Sequence, residues 1–143
     1  MHEDFVPYEL AVKLKEKGFK EKCLAYYDID DNVGLLHNTQ YGDEYSPYQY
    51  TDLLQSHNTD PIVVQPDDSE NCCDAPTISQ VLKWLREEKK LHISIEYGYE
   101  EIPVWDFEIR LIGTYGRWWT DETYSSYELA VFAGIEYVID NLI

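Results

Sequence analysis

Carboxylate and amide side chains alternate near residue 30, with the spacing at which a calcium-binding loop begins. Asp28, Asp30 and Asn32 would supply oxygen ligands at the first, third and fifth positions of such a loop. The sixth position needs a glycine and the twelfth a bidentate glutamate, but the chain has Val33 and Thr39 there. We therefore expect a hairpin turn at this point and no required metal.

The chain has three cysteines, Cys23, Cys72 and Cys73. A metal site needs two residues between its thiols and a second pair nearby, and an adjacent pair does not meet this requirement. A redox role needs a lowered thiolate pKa, which the acidic residues around Cys72 and Cys73 oppose. We expect reduced thiols, no disulfide and no cofactor.

Paired carboxylates could carry general acid–base chemistry if two of them faced a pocket in different environments. The pairs are Asp67 with Asp68, Glu100 with Glu101, Asp106 with Glu108, and Asp121 with Glu122. With 28 acidic residues in a chain of 143, adjacency carries little information, and a solvated acidic face explains the pairs. The sequence has no nucleophile elbow, phosphate loop or metalloprotease helix.

Negative charge is concentrated in one block of the sequence. Between Cys23 and Leu82 there is no lysine or arginine, while eleven carboxylates contribute −11 to the net charge of −17. Such a field repels DNA, RNA and anionic membranes and attracts basic surfaces. We expect no direct nucleic-acid binding and a basic protein partner.

Tyrosines cluster inside the acidic block. Aromatic platforms for single-stranded nucleic acid need a cationic groove, and the neighbours here are acidic. A protein-binding surface is the functional interpretation, because tyrosine is enriched at interaction hot spots. The alternative is that these rings fold the segment onto the rest of the protein. The predicted partner surface comprises Asp43, Glu44, Tyr45, Tyr48 and Tyr50, joined by Asp67, Asp68 and Glu70.

The elements that must position these residues indicate an α+β fold with an antiparallel sheet of four to five strands. Helical spacing of apolar residues predicts three helices, and period-two alternation predicts the strands. The helices are expected at 7–18, 77–90 and 125–142, and the strands at 23–28, 33–37, 91–97 and 105–112, with a further one at 117–120. We expect a single domain over 1–143, with an acidic, tyrosine-rich insertion at about 38–74.

Capping residues mark the ends of the predicted helices. Gly18 is a stop for the first helix. Thr77 with Gln80 and Ser125 with Glu128 match capping boxes that start the second and third helices. The buried stripe of the last helix is predicted to be Leu129, Phe132, Ile135 and Ile139.

No apolar run is long enough to span a bilayer, and the first four residues are not those of a signal peptide. A cytoplasmic location is therefore expected, which agrees with the small, odd number of cysteines.

Six segments of the chain are similar to segments of other proteins. They are Phe5 to Lys15, Gly18-Phe19, Cys23 to Tyr27, Ala75 to Gln80, Trp84 to Glu87, and Thr123 to Glu128. Together they resemble a group of small hypothetical proteins from bacterial phages and mobile elements. The resemblance covers most of the chain except 38–74. The group has no assigned activity, so the resemblance implies a phage or mobile-element context and no site residue.

Three functions follow as hypotheses. The first is a non-enzymatic protein that presents an acidic, tyrosine-bearing surface to a basic partner, with nucleic-acid mimicry as one version. The second is a small hydrolase or transferase that uses a carboxylate pair in a cleft. The third is a structural or assembly subunit whose charge keeps it soluble. Mimicry needs an elongated acidic strip, whereas an enzyme needs a concave pocket.

Overall fold

The computed structural model describes residues 5–23, 25–28, 35–38 and 72–143. The described elements, in chain order, are α1 (Tyr8–Glu16), β1 (Ala25–Asp28), β2 (Leu35–Asn38), β3 (Cys72–Asp74), α2 (Ile78–Glu88), β4 (Leu91–Glu100), β5 (Ile102–Leu111), β6 (Arg117–Trp119) and α3 (Tyr127–Asn141). Every pair among these described strands is antiparallel, and helices accompany the strands, so the predicted α+β class is confirmed.

The chain forms two compact units, Met1–Gln80 and Val81–Ile143. The described strands belong to two three-stranded sheets, ordered β2-β1-β3 and β4-β5-β6, where one sheet was expected. Periodicity in a sequence identifies strands but does not say which strands pair. Here each hairpin pairs with a short third strand, and the two hairpins belong to separate sheets.

In the first unit, α1 ends as its glycine predicts. Gly18 has a φ of +90°, its N–H donates to the carbonyl of Lys15, and the N–H of Phe19 donates to the carbonyl of Leu14. This pair of bonds is a Schellman motif. Phe19 and Leu14 are both fully buried, so the motif also fixes the chain where it enters the core.

The first sheet is centred on β1. β2 pairs on one side, as the predicted hairpin requires, and β3 pairs on the other, with Tyr27 opposite Cys73. The last three residues of the predicted insertion therefore form a strand. They escaped prediction because a three-residue strand is too short to show alternation.

α2 begins with the predicted capping box. The N–H of Gln80 donates to Thr77 Oγ1 at 3.2 Å, and the N–H of Thr77 donates to Gln80 Oε1 at 3.0 Å. The Gln80 side chain also donates to the carbonyl of Lys22 at 2.7 Å. One glutamine therefore ties the helix start to a neighbouring loop of the first unit.

In the second unit, β4 and β5 form a long hairpin with Ile93 opposite Ile109, which confirms the predicted antiparallel pairing. Each strand extends three residues further than predicted towards the turn, where Glu101 has a φ of +68°. The extension contains Gly98 and Pro103, and both residue types weaken a strand assignment made from sequence.

α3 packs on the face of this sheet that carries Ile93 and Phe107. Gly134 makes the close approach possible, because a Cβ there would lie 3.1 Å from Ile93 Cγ2 and 3.3 Å from Phe107 Cγ. Ring contacts hold the start of the helix. Trp105 lies 5.8 Å from Tyr127, centroid to centroid, in an edge-on arrangement.

Two predictions about α3 are wrong. Its N-cap is Ser126, whose Oγ accepts from the N–H of Leu129 at 3.1 Å, so the predicted cap at Ser125 is displaced by one residue. Leu129 is 49% exposed and Phe132 is half-buried, so neither is part of the buried stripe. The buried face comprises Ala130, Val131, Gly134, Ile135, Val138 and Ile139. Apolar residues surround most of this helix, so the phase of its buried face is ambiguous in the sequence.

Among the helices that the structure describes, none combines the length and the apolar character that crossing a bilayer requires.

Candidate functional site

The predicted partner surface lies outside the described residues. This applies to every member of it: Asp43, Glu44, Tyr45, Tyr48, Tyr50, Asp67, Asp68 and Glu70. Residues 29–34, which cover the predicted turn of the calcium-like motif, also lie outside the described residues. In the described part of the chain, no group of three or more His, Cys, Asp or Glu side chains is arranged to hold a metal ion.

Two of the three cysteine side chains are described, and both are buried. Neither Cys23 nor Cys73 is in a disulfide. Burial raises the pKa of the Cys23 thiol, and the nearby Asp74, Glu21 and Cys73 raise it further. The thiolate is the reactive form of cysteine, so Cys23 is a structural residue and a poor nucleophile.

Three cations of the second unit, Arg110, Arg117 and Lys89, interact with neighbouring side chains. Glu108 Oε1 lies 2.6 Å from Arg110 Nε and 2.9 Å from Arg117 Nε. The hydrogen bond from Arg110, followed by that from Arg117, lowers the pKa of Glu108. These are the two arginines that follow residue 90 in the sequence. Lys89 Nζ similarly lies 5.3 Å from the centroid of the Trp84 ring.

Carboxylates, in contrast, line a concave surface of the second unit. We call it the α3 cleft. It lies between one face of α3 and the segment that follows β6, and its volume is about 440 Å³. Its lining consists of Phe107, Thr120, Glu122, Tyr124, Ala133, Glu136, Tyr137, Asp140 and Asn141. No lysine or arginine is among these described residues.

One wall of the α3 cleft is a single face of the helix α3. Ala133, Glu136, Tyr137, Asp140 and Asn141 are three or four residues apart, so they share one face of α3. This face lies beside the buried stripe. The carboxylates of Glu136 and Asp140 are at the solvent edge, because both residues are exposed.

The opposite wall is fixed by a β-bridge. Tyr124 exchanges two backbone hydrogen bonds with Trp105, of 2.9 and 2.7 Å. A turn places Glu122 beside it, because the N–H of Glu122 donates to Thr120 Oγ1 at 3.0 Å. The Tyr124 hydroxyl then lies 3.4 Å from Glu122 Oε2.

Three aromatic rings form the floor. Phe107 is 3% exposed, and its ring stacks against Tyr124 with centroids 6.3 Å apart and an interplanar angle of 27°. The ring of Tyr137 lies 6.0 Å from that of Phe107 at 50°. The α3 cleft therefore has an aromatic floor of which Tyr124 and Tyr137 are partly exposed.

The chemistry of the α3 cleft is that of an anionic acceptor site. Burial first, and then the charge of Glu122, raises the pKa of Tyr124, so its hydroxyl stays protonated at neutral pH. Ionised carboxylates accept hydrogen bonds and do not donate them. The arrangement favours a ligand that carries positive charge and several donors.

Sequence reasoning named Glu122 as part of a solvated acidic pair and missed the rest of the α3 cleft. One signal was present. Glu136 and Asp140 follow each other at helical spacing, and the last turn of α3 contains no basic residue. The contribution of Tyr124 and Phe107 depends on a β-bridge and on the packing of α3, which the sequence does not indicate.

No known family model, curated protein or solved structure matches this chain.

Proposed function

We propose that this protein is a non-enzymatic interaction protein that presents an acidic, tyrosine-bearing surface to a basic protein partner. The observation that supports this most directly is the asymmetry of charge in the second unit. Arg110 and Arg117 are bonded to Glu108, while Glu122, Glu136 and Asp140 line a solvent-facing cleft. The unit has six Lys and Arg and twelve acidic residues, a net charge of −6. The outward field is therefore negative.

The acidic block of the first unit adds to this field. Its carboxylates have no basic residue between Cys23 and Leu82 to offset them. A field of one sign speeds encounter with an oppositely charged protein and makes the association rate sensitive to salt. Nucleic-acid mimicry is one form of this function, in which carboxylates stand where phosphates would. We place the function in the cytoplasm.

The test is affinity capture of partners from the native host with the full chain, followed by kinetics with the purified partner. We expect basic proteins whose association slows as salt rises. Reversing the charge of Asp43 and Glu44 to lysine should lower the association rate about tenfold or more at low salt. The matched control reverses Glu87 and Glu88 on α2, where lysines and an arginine already reduce the field.

Tyr48→Ala should act differently from the charge reversals. Loss of a ring at a protein contact removes buried area, so we expect faster dissociation with an unchanged association rate. Unchanged affinity after deletion of residues 41–70 would contradict a partner surface in that segment. Capture of neutral or acidic proteins alone would contradict the proposed function. Displacement of the partner by duplex DNA would identify the mimicry version.

A second candidate is a small hydrolase or transferase, which the concave shape of the α3 cleft favours. Acid–base chemistry needs one carboxyl kept protonated in an apolar environment and one ionised. The carboxylates of the α3 cleft are all on exposed residues, which argues for binding over catalysis. Turnover of a chromogenic ester, phosphate ester or glycoside that is lost in Glu136→Gln would reverse this preference.

A further inference from the structure

We propose that an extended segment of the basic partner adds to the sheet β4-β5-β6 as an antiparallel strand, pairing with β4 over residues 95–99. This inference rests on the proposed function. It adds the way in which the partner binds, which is by main-chain hydrogen bonds to a sheet edge, and the sequence pattern that the partner's segment needs.

β4 forms one edge of this sheet, and its outer half is open to solvent. Among the described strands β4 pairs with β5 alone, in a continuous register without a bulge. Tyr97 is 59% exposed and Tyr99 is 70% exposed. Many edge strands are protected from further pairing by a lysine, a proline or a bulge, and β4 has none of these. The edge is therefore a template for another strand.

The direction of the main-chain groups of β4 follows from the bonds that β5 makes on its other side. Trp105 exchanges both of its main-chain hydrogen bonds with Tyr124, so it makes none with Tyr97, its register partner in β4. Main-chain groups alternate in direction along a strand, so the N–H and carbonyl groups of Ile95, Tyr97 and Tyr99 point away from β5. An added strand would find alternating donors and acceptors in one row.

One face of the open edge is acidic. Glu96 and Glu100 lie on either side of Gly98 on this face, because alternate residues of a strand share a face. Gly98 has no side chain, so a long side chain of the added strand can cross it and reach both carboxylates. Asp106 lies opposite Glu96 and adds a third negative charge. Lysine or arginine at alternate positions of the partner's segment complements this face.

The other face of the open edge is aromatic. The ring of Tyr97 lies 5.2 Å from that of Trp105, centroid to centroid, at an interplanar angle of 66°. Tyr99 follows on the same face, nearer the turn of the hairpin. Apolar side chains at the intervening positions of the partner's segment would bury these rings, so the segment alternates basic and apolar residues.

A second copy of this chain matches the edge less well than a basic segment does. The charged residues of β4 are both acidic, and the whole chain has a net charge of −17, so two copies repel each other. Charge complementarity therefore favours a basic partner at this edge.

The experiment is a titration of the isotope-labelled full chain with acetyl-Lys-Val-Lys-Val-Lys-Val-Lys-Val-amide, followed by NMR and amide hydrogen exchange. In the free chain we expect fast exchange at Ile95, Tyr97 and Tyr99, and slow exchange at Ser94 and Glu96, whose N–H groups face β5. At saturation the peptide should slow the exchange of the first three amides about tenfold or more.

Matched peptides separate main-chain pairing from attraction between charges. In an antiparallel addition the valines lie opposite the tyrosines and their N–H groups face β4, whereas the lysine N–H groups face solvent. N-methylation of the two central valines should weaken binding about tenfold or more, and N-methylation of the two central lysines should weaken it much less. The peptide acetyl-Lys-Lys-Lys-Lys-Val-Val-Val-Val-amide has the same charge without alternation, and it should also bind about tenfold more weakly.

Variants of the chain test the acidic face. Glu96→Gln combined with Glu100→Gln should weaken the alternating peptide about tenfold at low salt, because two carboxylates beside the added lysines are lost. Glu87→Gln combined with Glu88→Gln is the matched control, since it removes the same charge from α2, and it should leave the affinity unchanged. Urea denaturation verifies that both double variants are folded.

Several results would overturn the inference. Slow exchange at Ile95, Tyr97 and Tyr99 in the free chain would show that the edge is already paired, and a dimer in sedimentation would then identify a second copy as its occupant. Equal weakening by the two methylations, or equal affinity for the block peptide, would reduce the interaction to charge.

The proposed function has a separate outcome. If the variant with Glu96→Gln and Glu100→Gln captures the basic partner with unchanged affinity, β4 is not the binding edge and the proposed function stands. If the alternating peptide adds to β4 but the full chain captures no basic protein from the native host, the proposed function fails instead.

Discussion

Gly134 is the point at which α3 comes closest to the sheet, and its missing side chain sets that distance. A valine there would have to displace Ile93 and Phe107, both of which are buried. We expect Gly134→Val to lower the free energy of unfolding by about 1–3 kcal/mol, as overpacked cores usually show. Urea denaturation measures this. Ala133→Val, one residue earlier and on the cleft side, should cost much less, and an equal loss in both variants would contradict the packing argument.

Cys23 illustrates how burial decides the reactivity of a side chain. Its side chain is fully buried, and its pKa is raised first by burial and then by Asp74. We expect iodoacetamide to modify Cys23 at least about tenfold more slowly in the folded protein than in urea, because the thiolate is disfavoured until the site opens. Mass spectrometry of the peptide that contains Cys23 gives the rate. Equal rates in the two states would show that the thiol is accessible.

Glu108 links stability to pH through its two arginines. Its pKa is lowered from 4.5, so ionised Glu108 stabilises the fold above its unfolded pKa and loses that effect as pH falls through the folded pKa. We expect Glu108→Gln to be less stable than the unmodified chain at neutral pH, with the difference shrinking below pH 4.5. Denaturation at several pH values tests this.

The control for that pH experiment is Glu96→Gln on the neighbouring strand. Glu96 lies directly opposite Asp106, and like charges in that position are unfavourable. Its neutralisation should not lower stability at neutral pH. A loss equal to that of Glu108→Gln would mean that the arginine contacts contribute nothing specific.

The start of α3 distinguishes two adjacent serines. Ser126 accepts the hydrogen bond from the N–H of Leu129, whereas Ser125 precedes the cap. We expect Ser126→Ala to lower the free energy of unfolding by about 1 kcal/mol and Ser125→Ala to change it by much less. Thermal or urea denaturation of the two single variants makes the comparison. The reverse order would favour the cap that the sequence motif predicts.

Local patterns in the sequence predict most of the elements of this fold, because a helix or strand is largely determined by neighbours in the chain. The capping box at Thr77 and Gln80, the stop at Gly18 and the antiparallel hairpin of β4 and β5 all follow from short motifs or alternation. Where apolar residues lie on more than one face, as around Leu129, the same reasoning assigns the wrong phase.

Tertiary arrangement accounts for what the sequence does not predict. The division of the strands into two sheets depends on which edges compete for pairing. The α3 cleft combines residues from β5, from the segment after β6 and from α3, and these three groups are nine or more positions apart in the sequence. No local pattern relates Phe107 to Tyr137, so a site built this way becomes visible only when the elements are packed.

Charge is the property of the full chain that constrains its partners most. The net charge of −17 is divided between the units, with −11 in residues 1–80 and −6 in residues 81–143. Both units therefore repel anions over about one Debye length, roughly 10 Å in moderate salt. The charge of either unit favours a basic partner over an acidic one.

The same charge predicts that the protein does not bind DNA or RNA. A protein that binds nucleic acid releases counterions, so its affinity falls steeply as salt rises. A polyanion facing this chain is repelled, and added salt screens the repulsion, so any weak association should increase with salt. We expect no gel shift with duplex DNA or single-stranded RNA in moderate salt. We also expect that adding the protein does not raise the fluorescence anisotropy of the nucleic acid in the way a counterion-releasing complex would, with an increase that shrinks as salt is raised from about 0.05 to 0.2 M. A shift that survives competitor, with affinity that decreases with salt, would mean that the lysines of α1 or those of α2 form a cationic surface strong enough to outweigh the acidic field.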